Sequence, residues 1–215
     1  MQEADLHSGI SAIVLAAGMS RRMGTPKQLL PIGGKVLLQV VLATVRASCV
    51  DEIIIVLGES ADIIQSQISF DNCQVVINEA YQQGMSTSLR AGVARVSPSA
   101  EGALIVLADQ PLLRPETIDQ LIDEYRRNKP QIVIPVYSGS RGNPVLLDRS
   151  VFPELAGLTG DVGCRAIFDK HTERILKVPV TDSGVLLDLD TPADIKRFEE
   201  AVANSLRGHR CSDAK

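Results

Sequence analysis

The sequence predicts an α/β fold in which helices cover both faces of a mostly parallel sheet. Short runs of β-branched residues alternate with stretches that place apolar residues at helical spacing, as expected of βαβ units. The chain has 215 residues, of which 45% are hydrophobic and only 3% are aromatic. The length is sufficient for one large domain, and aliphatic side chains must supply most of its core.

The first two thirds of the chain carry the regular alternation. The predicted strands are Ile10–Ala16, Ile53–Leu57, Val75–Ile77, the continuously apolar Ala103–Leu107, and Ile132–Pro135. The predicted helices are Val36–Ser48, Ala61–Ile68, Ser86–Val96, and Pro115–Asn128, the last with proline in its first turn. This order predicts a Rossmann-like three-layer sandwich.

The last third is less regular. Its predicted strands, Asn143–Leu147, Ile175–Pro179 and Val185–Leu187, are separated by loops that contain glycine. We expect this part to extend the sheet and to cover its carboxyl edge. A helix over Thr191–Leu206 closes a single domain spanning residues 10–206, with flexible ends at 1–9 and 207–215.

Charge and cysteine content exclude several classes of protein. The 22 basic and 26 acidic residues give a net charge of −4, which argues against a nucleic-acid partner. The four cysteines are spread singly, so we expect no zinc site or disulfide and interpret them as small buried residues. The polar N-terminus resembles no signal peptide, and no apolar run is long enough to span a membrane. We therefore expect a cytoplasmic protein without a membrane partner.

The first candidate motif is IVLAAGMSRRMGTPK, which begins within the first predicted strand and continues beyond it. It places Arg21, Arg22 and Lys27 close to the turn at Gly18, in a protein that is acidic overall. The spacing matches neither G-x-G-x-x-G nor a P-loop. Backbone N–H groups of a glycine turn can still bind phosphates, and three cations can neutralise a triphosphate. The structural alternative is a solvated turn with surface cations.

Two further motifs supply carboxylates. Asp109 follows a strand immediately, at the sheet edge where open α/β sheets bind ligands, and can hold Mg²⁺ against phosphate oxygens. The stretch LLDLDTPAD offers Asp190 as a second metal ligand and Asp188 as a weaker candidate. The alternatives are a turn-forming Asp109 and, around Thr191, a helix cap.

A fourth motif, GMSTSL, begins a predicted helix at the same edge. Gly84 permits close approach of the backbone, and Ser86 or Ser88 can cap the helix. A nucleoside-binding role and a plain helix cap both fit these residues.

Together these motifs resemble the MobA/MocA-type nucleotidyltransferase family, and within it the molybdenum cofactor cytidylyltransferases. The matching stretches are L-A-A-G-x-S-x-R-M-G-x-x-K-x-L-L-P, G-M-x-x-S-L, L-A-D-Q-P and D-x-D-T-P-x-D, within a resemblance that runs from about residue 10 to 200. Relatives that use GTP typically have L-A-G-G where this chain has L-A-A-G, which favours CTP. Asn143 stands where the family often has His.

The resemblance implies a fold similar to nucleotide-diphospho-sugar transferases, with a nucleotide-binding part at 10–135 and an acceptor-binding part at 136–190. It implies catalytic roles for Arg22, Lys27 and Asp109, and a Mg²⁺ ion held by Asp109 and Asp190. The implied nucleotide-binding residues are Leu15, Ala16, Ala17, Gly18, Ser20, Arg22, Lys27, Gly84, Ser88 and Asp109. The implied acceptor-binding residues are Gln110, Arg141, Asn143, Gly163 and Arg165.

The activity implied is transfer of CMP from CTP to a molybdopterin-type cofactor, with release of pyrophosphate and possible delivery to a client molybdoenzyme. Three alternatives stay open. The chain could use GTP as the nucleotide donor, or it could use another small phosphorylated acceptor. It could also act as a non-catalytic maturation or delivery factor. An oxidoreductase that uses a dinucleotide is a further possibility, weakened by the missing glycine fingerprint.

Overall fold

The structure is a computed structural model that describes residues 9–18, 26–189 and 194. The predicted helix over Thr191–Leu206 and the predicted flexible ends lie outside this described part, apart from Gly9 and Asp194.

One sheet runs through the molecule. Its strands are β1 (Ile10–Ala16), β4 (Glu52–Leu57), β5 (Gln74–Ile77), β6 (Gly102–Leu107), β7 (Ile132–Tyr137), β8 (Ser140–Arg141), β9 (Val145–Asp148) and β10 (Ile175–Pro179). The order is β10-β7-β9-β6-β1-β4-β5, with β8 paired to β7, and β9 runs antiparallel to both of its neighbours. Strands β2 (Pro31–Ile32) and β3 (Lys35–Val36) form a separate antiparallel pair. The prediction of a mostly parallel sheet is confirmed.

Helices cover both faces of this sheet. They are α1 (Leu37–Arg46), α2 (Ala61–Gln67), α3 (Met85–Val93), α4 (Pro115–Asn128) and α5 (Phe152–Ala156). Side chains of α1, α2 and α4 share one apolar core with one face of the strands, and side chains of α3 and α5 share a second core with the other face. Alternate residues of β1 enter the two cores, Val14 the first and Ile13 the second, as the period of a strand requires. The three-layer prediction is confirmed.

The strand order reverses beside β1. The chain proceeds from β1 to β4 and β5 on one side, and then continues with β6 on the other side. Because β1 and β6 are parallel, with Leu15 opposite Leu107, their following loops leave the sheet side by side. In open α/β sheets a crevice of this kind is where ligands bind.

Two of the strands predicted in the last third differ in the structure. The segment predicted as a strand at Val185–Leu187 lies instead in a 3-10 turn over Ser183–Leu186, which begins where the Asp182 carboxylate accepts a bond from the Gly184 N–H at 2.8 Å. The predicted strand Asn143–Leu147 begins only at Val145, because Pro144 has no N–H to donate to a ladder. The β2–β3 pair, β8 and α5 were not predicted.

The cysteine prediction is only partly right. Cys164 is buried, but Cys49 is exposed and Cys73 is half-buried, and all three are free thiols. Cys211 lies outside the described residues. Among the helices described, none is long and apolar enough to cross a membrane.

Candidate active site at the carboxyl edge of the sheet

The loops that follow β1 and β6 bring a cation and a carboxylate together. Lys27 lies in a 3-10 turn over Lys27–Leu29, and its Nζ is 2.9 Å from Oδ2 of Asp109, the second residue after β6. The two side chains are 17% and 27% exposed, so their charges are only partly screened by water. Two residues that are 82 positions apart in the sequence therefore meet in the crevice beside β1.

The glycine turn after β1 lies against the same crevice. Leu15 and Ala16 belong to β1, and Ala17 is 7% exposed. Gly18 is exposed, and no atom of the described residues lies within 4 Å of where a Cβ would stand. Ser20 and Arg22 lie outside the described residues.

Asp109 fits a hard cation. Its Oδ2 faces Lys27, while its Oδ1 is buried without a hydrogen-bond partner in the described part of the chain. A carboxylate oxygen of this kind suits Mg²⁺ or Mn²⁺, which prefer oxygen ligands. Asp190, the predicted second ligand, lies outside the described residues.

The segment 185–189 forms hydrogen bonds with the loop after β6. The Leu189 N–H donates to the Asp109 carbonyl at 2.9 Å, and Nε2 of Gln110 donates to Oδ1 of Asp188 at 2.7 Å. The Val185 carbonyl accepts from Gln110 and from the Asn143 N–H. These bonds bring three of the predicted motifs together at one edge. Gln110 is only 1% exposed, and its predicted acceptor contact stays a prediction.

The alternative in which Ser86 or Ser88 caps α3 is wrong. Gly84 is the N-cap residue, and the cap comes from residues far along the chain: the Met85 N–H donates to Oδ1 of Asp161 and the Ser86 N–H donates to the Gly160 carbonyl, both at 3.3 Å. Gly84 has φ +104°, and a Cβ there would stand 2.4 Å from the Gly160 carbonyl carbon. Glycine is therefore required for this contact. The predicted nucleotide and acceptor parts meet here.

Ser88 is buried under the start of α3 rather than exposed. Asn78, which follows β5, donates to the hydroxyls of Thr87 and Ser88 at 2.8 and 2.9 Å. Sequence analysis missed Asn78, although a polar residue directly after a strand is the same signal that identified Asp109. The predicted contact of Ser88 with nucleotide stays a prediction.

The predicted acceptor residues are spread along the same edge. Arg141 is exposed on β8, Asn143 is half-buried, and Arg165 is exposed at the start of a 3-10 segment over Cys164–Arg174. Gly163 lies against Met85, whose sulfur would be 2.9 Å from a Cβ at that position. Burial raises the pKa of Cys164 to about 12, which keeps this thiol protonated and excludes a nucleophilic role near neutral pH.

Comparison with known proteins adds a family. The model of the MobA-like NTP transferase domain matches residues 12–175 of this chain. That range contains Lys27, Asp109 and Asp161, and it ends before the segment around Asp188.

Three similar proteins have different names. The chain is 28% identical to nicotine blue oxidoreductase of Paenarthrobacter nicotinovorans, over 88% of this chain and 96% of that protein. It is 26% identical to molybdenum cofactor cytidylyltransferase of Escherichia coli (strain K12), over 90% of this chain and 97% of that protein. The crystal structure of Rv0371c from Mycobacterium tuberculosis H37Rv in complex with manganese has 34% identity and a TM-score of 0.78, and the match covers 89% of this chain and 98% of that one.

Proposed function

This chain belongs to the MobA-like NTP transferase family, and we propose that it transfers CMP from CTP to a molybdopterin-type cofactor, releasing pyrophosphate. One observation carries the proposal: Asp109, with one oxygen paired to Lys27 and the other buried without a partner in the described part, lies beside the glycine turn of β1. A carboxylate and a cation held this way at the end of parallel strands suit a metal-bound triphosphate.

The proposed reaction needs no protein nucleophile. A phosphate oxygen of the acceptor attacks the α-phosphorus of CTP, the bond from that phosphorus to the bridging oxygen breaks, and its electron pair leaves with pyrophosphate. Charge repulsion and positioning dominate such a barrier. The backbone N–H groups of the turn and the ammonium of Lys27 stabilise charge on the triphosphate and on the departing pyrophosphate. Asp109, and Asp190 outside the described residues, would hold a Mg²⁺ ion that lowers the charge repulsion between the phosphates.

The choice of CTP rests on the turn itself. The chain has Ala17 before Gly18, where relatives that use GTP typically have a second glycine. The E. coli relative named molybdenum cofactor cytidylyltransferase supports the same nucleobase.

The acceptor side offers apolar and cationic groups. Exposed large hydrophobic side chains include Met85, Val162 and Leu186, which lie at the start of α3 and on the 160–163 and 183–186 loops. A flat heterocycle such as a pterin suits such side chains, and the guanidinium groups of Arg141 and Arg165 suit its phosphate.

A second candidate function comes from the relative named nicotine blue oxidoreductase. That name favours an oxidation–reduction reaction, such as hydride transfer from a dinucleotide. The two candidates make different demands on Asp109, because hydride transfer does not require a carboxylate facing a triphosphate.

Pyrophosphate release separates these candidates. Purified full-length protein is incubated with Mg²⁺, purified molybdenum cofactor and each of the four ribonucleoside triphosphates in turn. We expect release with CTP that depends on both the cofactor and the metal. Release with GTP alone would move the assignment to a guanylyltransferase, and release with none of the four would reject nucleotidyl transfer to this acceptor. Oxidation of NAD(P)H with a quinonoid dye as acceptor would then favour the oxidoreductase.

A further inference from the structure

Gln28 lies beneath the glycine turn and has no assigned role. It follows Lys27 in the 3-10 turn over Lys27–Leu29, and it is only 6% exposed. Its Nε2 donates to the Ala16 carbonyl at 2.6 Å and lies 3.5 Å from the Gly18 carbonyl. The side chain therefore holds the carbonyl at the end of β1 and reaches the turn that follows.

These bonds fix the direction of the turn's peptide groups. In a trans peptide plane, the carbonyl of one residue and the N–H of the next point in opposite directions. Since the Ala16 carbonyl faces Gln28, the Ala17 N–H faces away from it. The Ala17 carbonyl is also turned inward, where its oxygen would be 2.8 Å from a Cβ at Gly58. N–H groups attract an anion, and carbonyl oxygens repel one, so this orientation decides whether the turn can bind phosphate.

Stability alone does not explain a glutamine here. In the described part of the chain, Oε1 of Gln28 is buried without a hydrogen-bond partner. A buried polar atom in this state is unfavourable compared with an apolar side chain of the same size. What the amide does supply is the donor that holds the Ala16 carbonyl.

We propose that Gln28 is a positioning residue for triphosphate binding, which acts by orienting the backbone of the glycine turn and not by contact with the reacting atoms. This inference rests on the proposed function, since it takes the turn as the triphosphate site. It makes a prediction about one part of the substrate: Gln28 should affect binding of the triphosphate, but not binding of the nucleoside or of the acceptor.

Three ligands test this division: CTP, cytidine and inorganic tripolyphosphate, titrated calorimetrically into full-length protein with Mg²⁺. Gln28→Met keeps the size of the side chain and removes its donors, and Gln28→Glu adds a negative charge as well. We expect a loss of about tenfold in affinity for CTP and tripolyphosphate with Gln28→Met, and a larger loss with Gln28→Glu. Cytidine affinity and the KM of the acceptor should be unchanged.

Gln120→Met is the matched control. Gln120 also donates to a backbone carbonyl, that of Pro179 at 3.2 Å, but it is exposed on α4. We expect wild-type affinities for all three ligands. The free energy of unfolding of each variant is measured in urea to establish that it is folded. The test needs only one folded variant of Gln28, either Gln28→Met or Gln28→Glu.

Two results overturn the inference. One is wild-type tripolyphosphate affinity in a folded Gln28 variant, and the other is an equal loss for cytidine and tripolyphosphate, which would show a general structural role. If the wild-type protein itself binds neither CTP nor tripolyphosphate, the proposed function fails together with this inference. If the wild type binds both and the variants bind equally well, only the inference about Gln28 fails.

Discussion

The two edges of the sheet treat their polar groups differently. At the amino edge, the Tyr125 hydroxyl donates to Asp148 at 2.6 Å, the Ser11 hydroxyl donates to Glu52 at 2.6 Å, and the Ile10 N–H donates to Asp51 at 2.7 Å. At the carboxyl edge, buried atoms lack a hydrogen-bond partner in the part of the chain that the structure describes. They are Oε1 of Gln28, Oγ of Ser86, Oδ1 of Asp109 and Oε1 of Gln110.

The pairing of polar groups at the amino edge favours stability, whereas the unpaired groups at the carboxyl edge indicate a functional site. A buried polar atom without a partner costs about 1–3 kcal/mol, and none of the described residues at the amino edge has such an atom. We infer that Oδ1 of Asp109 lacks a partner because a ligand completes it, whereas Gln28 carries such an atom because its amide positions the turn. Concave shape is a weaker guide, since a cavity of about 550 Å³ opens at the amino edge beside Asp51 and Glu52. Both carboxylates there already accept hydrogen bonds from the protein.

The largest expected effect is at Asp109. Asp109→Asn keeps the size of the side chain but removes the charge that would hold the metal, and we expect pyrophosphate release to fall about 10³-fold. The free energy of unfolding should change little. Asp51→Asn at the amino edge is the control and should keep wild-type turnover, so a similar loss in both variants would break the comparison between the edges.

Lys27 should have the next largest effect. Lys27→Ala removes the ammonium that lies 2.9 Å from Asp109, and we expect turnover to fall about 10²-fold. Lys129 makes the matching ion pair at the amino edge, with its Nζ 2.7 Å from Oε2 of Glu101. Lys129→Ala should leave turnover unchanged. Steady-state assays of both variants measure this difference in turnover. Wild-type turnover in Lys27→Ala would reject a catalytic role for Lys27.

Arg165 tests how far the functional edge extends. If its guanidinium binds the phosphate of the acceptor, Arg165→Ala should raise the KM of the acceptor about tenfold and leave the KM of CTP unchanged. Arg174→Ala is the control, because Arg174 is also exposed and lies at the other end of the same 3-10 segment. An equal rise in both KM values would instead indicate a structural role for Arg165.

The smallest predicted effect is on stability, at the amino edge. Tyr125→Phe should lower the free energy of unfolding by about 1–2 kcal/mol at pH 7 without changing turnover, because it removes the hydrogen bond to Asp148. Burial raises the pKa of Tyr125, so the phenol remains a donor at neutral pH. A wild-type free energy of unfolding, measured in urea, would contradict this prediction.

The same bond predicts a pH dependence. Burial of Asp148 acts to raise the pKa of its carboxyl, but hydrogen bonds from Ser150 and Tyr125 outweigh it, and the pKa lies below its ordinary value. A carboxyl whose pKa is lowered by folding stabilises the protein above its unfolded pKa of about 4, and this contribution is lost as the pH falls through the folded value. The stability difference between wild type and Tyr125→Phe should therefore shrink below about pH 4, and a difference independent of pH would exclude Asp148 as the partner.

The sequence was most informative about regular elements and about the polar residues that come just after a strand. The parallel sheet, the proline at the start of α4 and the position of Asp109 were all predicted, because local periodicity and chain order determine them. The cap of α3 by Asp161 was not, because it joins residues 76 positions apart and depends on how two loops fold against each other. Gln28 was missed for a similar reason, since its burial under the turn leaves no periodic signal.

Manganese binding tests the contrast between the edges most directly. The electron paramagnetic resonance signal of free Mn²⁺ can be followed while full-length protein is added in the presence of CTP. We expect wild type and Asp51→Asn to bind the ion with equal affinity, and Asp109→Asn to lose most of that binding. Equal binding by Asp109→Asn, or loss of binding by Asp51→Asn, would contradict the assignment of the metal and nucleotide to the carboxyl edge.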